Sequence, residues 1–183
     1  MKNQKAKQNL LSSIFFTGIL AVLLFAAGSV SVSAHEGGEG AECETKACRQ
    51  AVVSAKQATA RYHDIQNALA DGFFQASPCV QHPTLGAMGF HFINLGRILN
   101  PLVKPDEPEV LLYMPDETGQ MNLVAVEYVV PLGLAAEAPV LFDQTFQTDG
   151  APLNQYSLHA WVWRKNPSGT FAPFNPKISC PSQ

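Results

Sequence analysis

The feature that most constrains the fold is a change of hydrophobic period at Asp71-Gly72. Before it, Ala58, Tyr62, Ile65 and Leu69 recur at helical spacing, with Val52 and Ala55 extending the stripe. This pattern predicts one long helix over about residues 45–71, ended by a glycine free to take the left-handed conformation. After it, apolar residues alternate or run together in short blocks. Strands are expected at 87–93, 109–114, 121–130 and 156–164, with a short return strand at 170–172. Pro115 to Gln120 reads as a hairpin loop, Asn166-Pro167-Ser168-Gly169 as a turn, and 73–86 as a long loop. One helix followed by antiparallel strands places the chain in the α+β class, with the helix packed on one sheet face.

The first 34 residues read as a separate, removable segment. Lys2, Lys5 and Lys7 precede an apolar run that ends in Val32-Ser33-Ala34, the pattern of a secretory signal peptide. Residues 35–44, acidic and glycine-rich, read as a flexible arm, and 45–183 as a single domain. Removing three lysines leaves nine basic residues against 15 acidic ones, a formal charge of −6. An acidic domain without a basic stripe disfavours nucleic acid, and no second segment is long enough to span a membrane. A secreted or periplasmic location follows from the signal pattern.

That compartment decides how the four cysteines read. With no C-x-x-C pair, Cys43, Cys48, Cys79 and Cys180 are expected to form one or two disulfides, with Cys79–Cys180 and Cys43–Cys48 favoured over the other pairings. A Cys43–Cys48 bridge requires that the first helical turn be irregular.

Three ionisable residues interrupt otherwise apolar strands. His91 shares its expected face with Ala87, Gly89 and Ile93, and the other face holds Met88, Phe90 and Phe92. Glu127 falls with Met121, Leu123, Ala125 and Val129, and His159 with Trp161 and Trp163. A buried carboxylate needs a cation, a donor or a proton. Two neutral imidazoles and a carboxylate suit a divalent transition metal such as iron, zinc or manganese. The competing account pairs Glu127 with Arg61, Arg97 or Arg164. His82, in a loop beside Cys79, is a candidate fourth ligand or ligand-binding residue. His35 as a new amino terminus would offer an amine and a ring to copper, but its glycine-rich surroundings hold no fixed geometry. Tyr156, Trp161, Trp163, Phe171 and Phe174 read as strand and tail packing rather than as a pocket. No dinucleotide, P-loop, nucleophile-elbow or haem-attachment motif is present.

Four segments carry a resemblance. They are Ala58-Thr59-Ala60-Arg61-Tyr62-His63-Asp64 with Ala68-Leu69-Ala70-Asp71-Gly72, Gly86-Ala87-Met88-Gly89-Phe90-His91-Phe92-Ile93-Asn94, Pro108-Glu109-Val110-Leu111-Leu112-Tyr113, and His159-Ala160-Trp161-Val162-Trp163 leading through Asn166-Pro167-Ser168-Gly169 to Asn175-Pro176-Lys177-Ile178-Ser179-Cys180. Together they resemble a family of uncharacterised secreted bacterial proteins over about residues 50–180. The resemblance implies a bacterial, exported, single-domain protein and assigns no catalytic residue. The leading expectation is a binding protein for a metal ion or small molecule at His91, Glu127 and His159. A metal-dependent enzyme using the same residues is the first alternative. A structural or interaction protein of the cell envelope is the second.

Overall fold

Lys46–Thr59 forms the first helix, α1, and it starts where its cap lies. The Thr45 hydroxyl accepts the Cys48 amide at 3.0 Å, satisfying a donor that the first turn leaves open. The structure, a computed structural model, describes residues 41–149 and 153–182, all within one unit spanning His35–Gln183. The proposed signal segment, His35 and the first part of the arm lie outside the described residues. Residues 41–44 of the arm are tied down: Cys43 is bonded to Cys48, and the Glu42 carboxylate accepts from the Thr170 amide and hydroxyl.

The single helix expected over 45–71 is shorter and interrupted. After α1 the chain tightens into a 3-10 turn, Ala60–His63, becomes extended at Asp64, and re-forms as α2, Ile65–Ala70. Asp64 is the reason: its carboxylate caps the Gln66 amide at 2.9 Å, a role this side chain plays best with its own backbone outside a helix. The break frees the Tyr62 carbonyl, and the buried Tyr113 hydroxyl donates to it at 2.7 Å. It also rotates the apolar stripe. Ala55, Thr59, Tyr62 and Ala68 face the core, while Leu69 is exposed.

The sheet is antiparallel throughout. Its strands are β1 (Phe74–Gln75), β2 (Val80–His82), β3 (Gly86–Ile93), β4 (Val110–Pro115), β5 (Met121–Pro131), β8 (Gln147–Asp149) and β9 (Gln155–Ala160). Between β5 and β8, β6 (Val140–Leu141) and β7 (Gln144–Thr145) make a separate small hairpin. The main order is β1-β3-β4-β5-β9-β8, with β2 also on β3. The loop expected over 73–86 thus contains two short strands, both laid against β3. The return strand expected at 170–172 does not form; Thr170 joins no strand, although its carbonyl accepts the Trp161 amide.

The central strands are buried on both faces, which is why β4 and β5 read as nearly continuous apolar runs. One core joins the helices to Phe92, Leu111, Tyr113, Val126 and Tyr128. A second, on the opposite face, holds Val110, Leu112, Ala125, Val129 and Trp161 under the carboxyl-terminal tail. The tail is pinned by Cys79–Cys180 and by a backbone bridge between Ala87 and Asn175. Both expected disulfides are present, and no described cysteine is free. Two bridges in so small a domain belong to the chemistry of an oxidising compartment. Among the described residues no helix is long and apolar enough to cross a membrane.

Candidate metal centre

His91, Glu127 and His159 converge on the sheet face opposite the helices. Register accounts for two of them. Glu127 pairs directly with His159 across β5 and β9, so their side chains rise side by side. His91 lies on β3, one strand beyond Glu127's other neighbour, and pairs with Leu112 of β4. Glu127 pairs with Val110 of the same strand, so His91 and Glu127 lean toward each other over β4.

Two irregularities set this face, and neither follows from simple alternation. Between Leu112 and Tyr113 the β4–β5 register shifts, with partners Ala125 and Leu123, so Val124 is the extra residue of a bulge. Met121 and Leu123 therefore pack in the helix-side core, while Ala125, Glu127 and Val129 stay on the site face. The shared face expected for all five is corrected by that one residue. A second shift between β2 and β3 makes Met88 the extra residue, and it joins His91 at the site instead of Phe90 and Phe92. Gly89 permits this: its φ is +107°, and a Cβ there would lie 2.7 Å from the Tyr113 carbonyl oxygen. Trp163 also departs from its expected face. Strand β9 ends at Ala160, and the Trp163 ring donates to Thr59 on the helix side at 3.0 Å.

The donor atoms are closely grouped. His91 Nε2 lies 3.6 Å from Glu127 Oε2, and His159 Nε2 lies 3.7 Å from Glu127 Oε1. One ligand atom from each of the three falls within 4.8 Å of the others. Both contacts are too long for hydrogen bonds. Ligands at about 2.0–2.2 Å from one ion stand about 2.8–3.8 Å apart at bond angles of 90–120°, so the two contacts to Glu127 already fit a common ion and the trio needs only a small closing movement. His159 Nε2 is buried and has no hydrogen-bond partner among the described residues. An orphaned buried nitrogen costs about 1–3 kcal/mol, which a bound cation would offset.

Burial controls the charges of the metal-free trio. Desolvation lowers the His91 pKa to about 4. Desolvation, with the nearby His91 ring, lowers that of His159 to about 3. Desolvation, then the charges of Asp149 and Glu109, raises that of Glu127 to about 8. At neutral pH all three are uncharged, so neither His–Glu contact is an ion pair. The arginines proposed as partners are engaged elsewhere: Arg61 with Asp71, and Arg97 with the Pro108 carbonyl and Tyr62. Arg164 is not among the residues lining the site cavity.

Ser77, which no sequence pattern marked, fixes the His91 ring. Its hydroxyl donates to the Pro78 carbonyl at 2.8 Å, so toward His91 Nδ1, 3.1 Å away, it acts as acceptor. Nδ1 then carries the ring proton and Nε2 presents a lone pair to the site, the arrangement found behind metal-bound histidines. Glu109 is a second buried carboxyl outside the trio. It accepts the Val129 amide at 3.2 Å, and its pKa is raised to about 7, chiefly by desolvation.

His82 does not join the cluster. Its Nδ1 accepts the Thr84 and Leu85 amides, each at 3.2 Å, and its ring packs on Phe174. It caps its own loop, a local use of the side chain that competes with ligation. The aromatic residues of the last strand and tail likewise stay in packing roles; Trp161 donates to the Ala172 carbonyl at 2.6 Å.

A cavity of about 380 Å³ adjoins the trio, within the range of small-molecule sites. Fold and site together define a mixed domain with an antiparallel sheet, two disulfides and a two-histidine, one-carboxylate donor set at the floor of a cavity. Comparison with protein-family models, curated proteins and solved structures finds no match to the chain.

Proposed function

We propose that this is an exported binding protein for a divalent transition metal held by His91, Glu127 and His159. The carrying observation is the convergence of three donors within 4.8 Å, one of them a buried nitrogen with no other partner. The tautomer that Ser77 imposes on His91 supports the same reading. Zinc, iron or manganese suits two imidazoles and a carboxylate, and three protein ligands leave coordination positions open. The signal-like first 34 residues, the disulfides and the resemblance to secreted bacterial proteins support a periplasmic or secreted location.

The adjoining cavity favours a second reading, a metal-dependent enzyme with substrate at the open positions. An interaction protein of the envelope without a ligand would leave the orphaned nitrogen unexplained. The test is elemental analysis of protein purified from its native compartment, beside a His91→Ala, His159→Ala variant. One equivalent of metal in the wild type, absent from the variant, is expected. No stoichiometric metal under native loading would end the proposal.

A further inference from the structure

The cavity is asymmetric in a way that restricts what could occupy the metal's open positions. On the β3–β4 side its wall is apolar: Met88, Ile93 and Val110 line it, joined by Ile98 from the short helix α3, Leu95–Ile98. On the β9–β8 side the lining is polar but uncharged at Gln147, Gln155 and Ser157, with Asp149 the only acid besides Glu127 among the described residues. No lysine or arginine is among the described residues that line it. Leu153 both lines the cavity and is 61% exposed, so the space reaches the surface. The trio spans the two walls, since His91 stands on β3 with the apolar side, His159 on β9 with the polar side, and Glu127 on β5 between them.

We infer that this cavity binds a small organic molecule with one metal-coordinating head and an apolar body lying over β3 and β4. The inference rests on the metal reading and specifies its ligand. The volume equals about a dozen waters at about 30 Å³ each, which sets the size of the ligand. Head-group charge is restricted as well. A divalent ion with Glu127 ionised carries one net positive charge, which a single anionic head neutralises. A second anionic group would meet Asp149 and find no cation. Phosphorylated compounds and dicarboxylates are therefore excluded, and monofunctional acids, hydroxamates or phenols with a hydrocarbon body fit.

The test uses zinc-loaded protein and a series of straight-chain hydroxamates, from acetohydroxamate to hexanohydroxamate, measured by titration calorimetry. The head is constant across the series, so the chain alone reports the apolar wall. Burying each methylene should raise affinity roughly fourfold, about two-hundredfold across the series. Ile98→Trp, which fills the apolar side from a surface helix away from the ligands, should flatten that slope while one equivalent of zinc remains bound. A flat series on wild-type protein that holds its zinc would overturn the inference and leave the metal reading standing. Equal affinity of hexanohydroxamate for metal-free and zinc-loaded protein would overturn the metal anchor. Failure to take up zinc would overturn both readings, and the zinc content measured before titration shows which case applies.

Discussion

Replacing Glu127 by glutamine should stabilise the metal-free protein at neutral pH and abolish its stabilisation by metal. The side chain is 6% exposed, and its pKa is raised from 4.5 to about 8. Between those values the native protein holds a proton that the unfolded chain has released. Raising the pH therefore favours the unfolded state. At about 1.4 kcal/mol per unit, the carboxyl's contribution is under about 1 kcal/mol unfavourable at pH 5, about 3 at pH 7 and about 5 above pH 8. Glutamine keeps the shape and loses the titration, so its own burial cost is the same at every pH. Urea unfolding with chelator present, at pH 5, 7 and 8 and with disulfides intact, measures the difference. The variant should gain on the wild type steadily from pH 5 to 8. In zinc at about a hundred times its dissociation constant the wild type should gain about 2.7 kcal/mol and the variant nothing. A stability difference that stays constant from pH 5 to 8 would refute the reasoning, because it would mean that Glu127 is already ionised in the native state.

Two further outcomes follow from the same geometry. Ser77→Ala should leave the fold intact and weaken zinc binding by about 10- to 100-fold, with Ser77→Thr retaining most of the affinity; competition against a chromophoric chelator reads both. Replacing Cys79 and Cys180 by serine removes a cross-link spanning 101 residues and should cost about 4–5 kcal/mol in urea unfolding, because the unfolded chain regains that loop's freedom.

Local pattern was enough for much of this molecule. The switch of hydrophobic period at Asp71-Gly72 marks the passage from helix to sheet, and three of the expected strands form within a residue of their predicted limits, while β9 stops at Ala160. The even cysteine count and the prolines beside Cys79 and Cys180 favour the pairing that forms, and the fold decides it among the three connectivities open to four cysteines. His91, Glu127 and His159 stand out because an ionisable side chain in an apolar strand must find a partner or lose its charge, and that rule needs no coordinates. Alternation fails where it assumes a regular pleat. The extra residue Val124 reverses the faces beyond it, so Leu123 leaves the site, and the extra residue Met88 enters it while Ala87 keeps its expected face. Helical periodicity fails at Asp64, where a capping bond outweighs propagation.

What the sequence by itself determined is the set of residues that cannot be buried alone; only the tertiary structure decided which of them meet. His91 and His159 are 68 positions apart and reach the same carboxylate because β4 and β5 stand between their strands in one register. His82, closer to His91 in sequence, is spent on its own loop. Ser77 carries no signal of its own, since a hydroxyl beside a proline is ordinary until the fold sets it 3.1 Å from an imidazole. A side chain's chemistry is local and legible, whereas the company it keeps depends on strand order, bulges and register, which arise from packing of the whole chain.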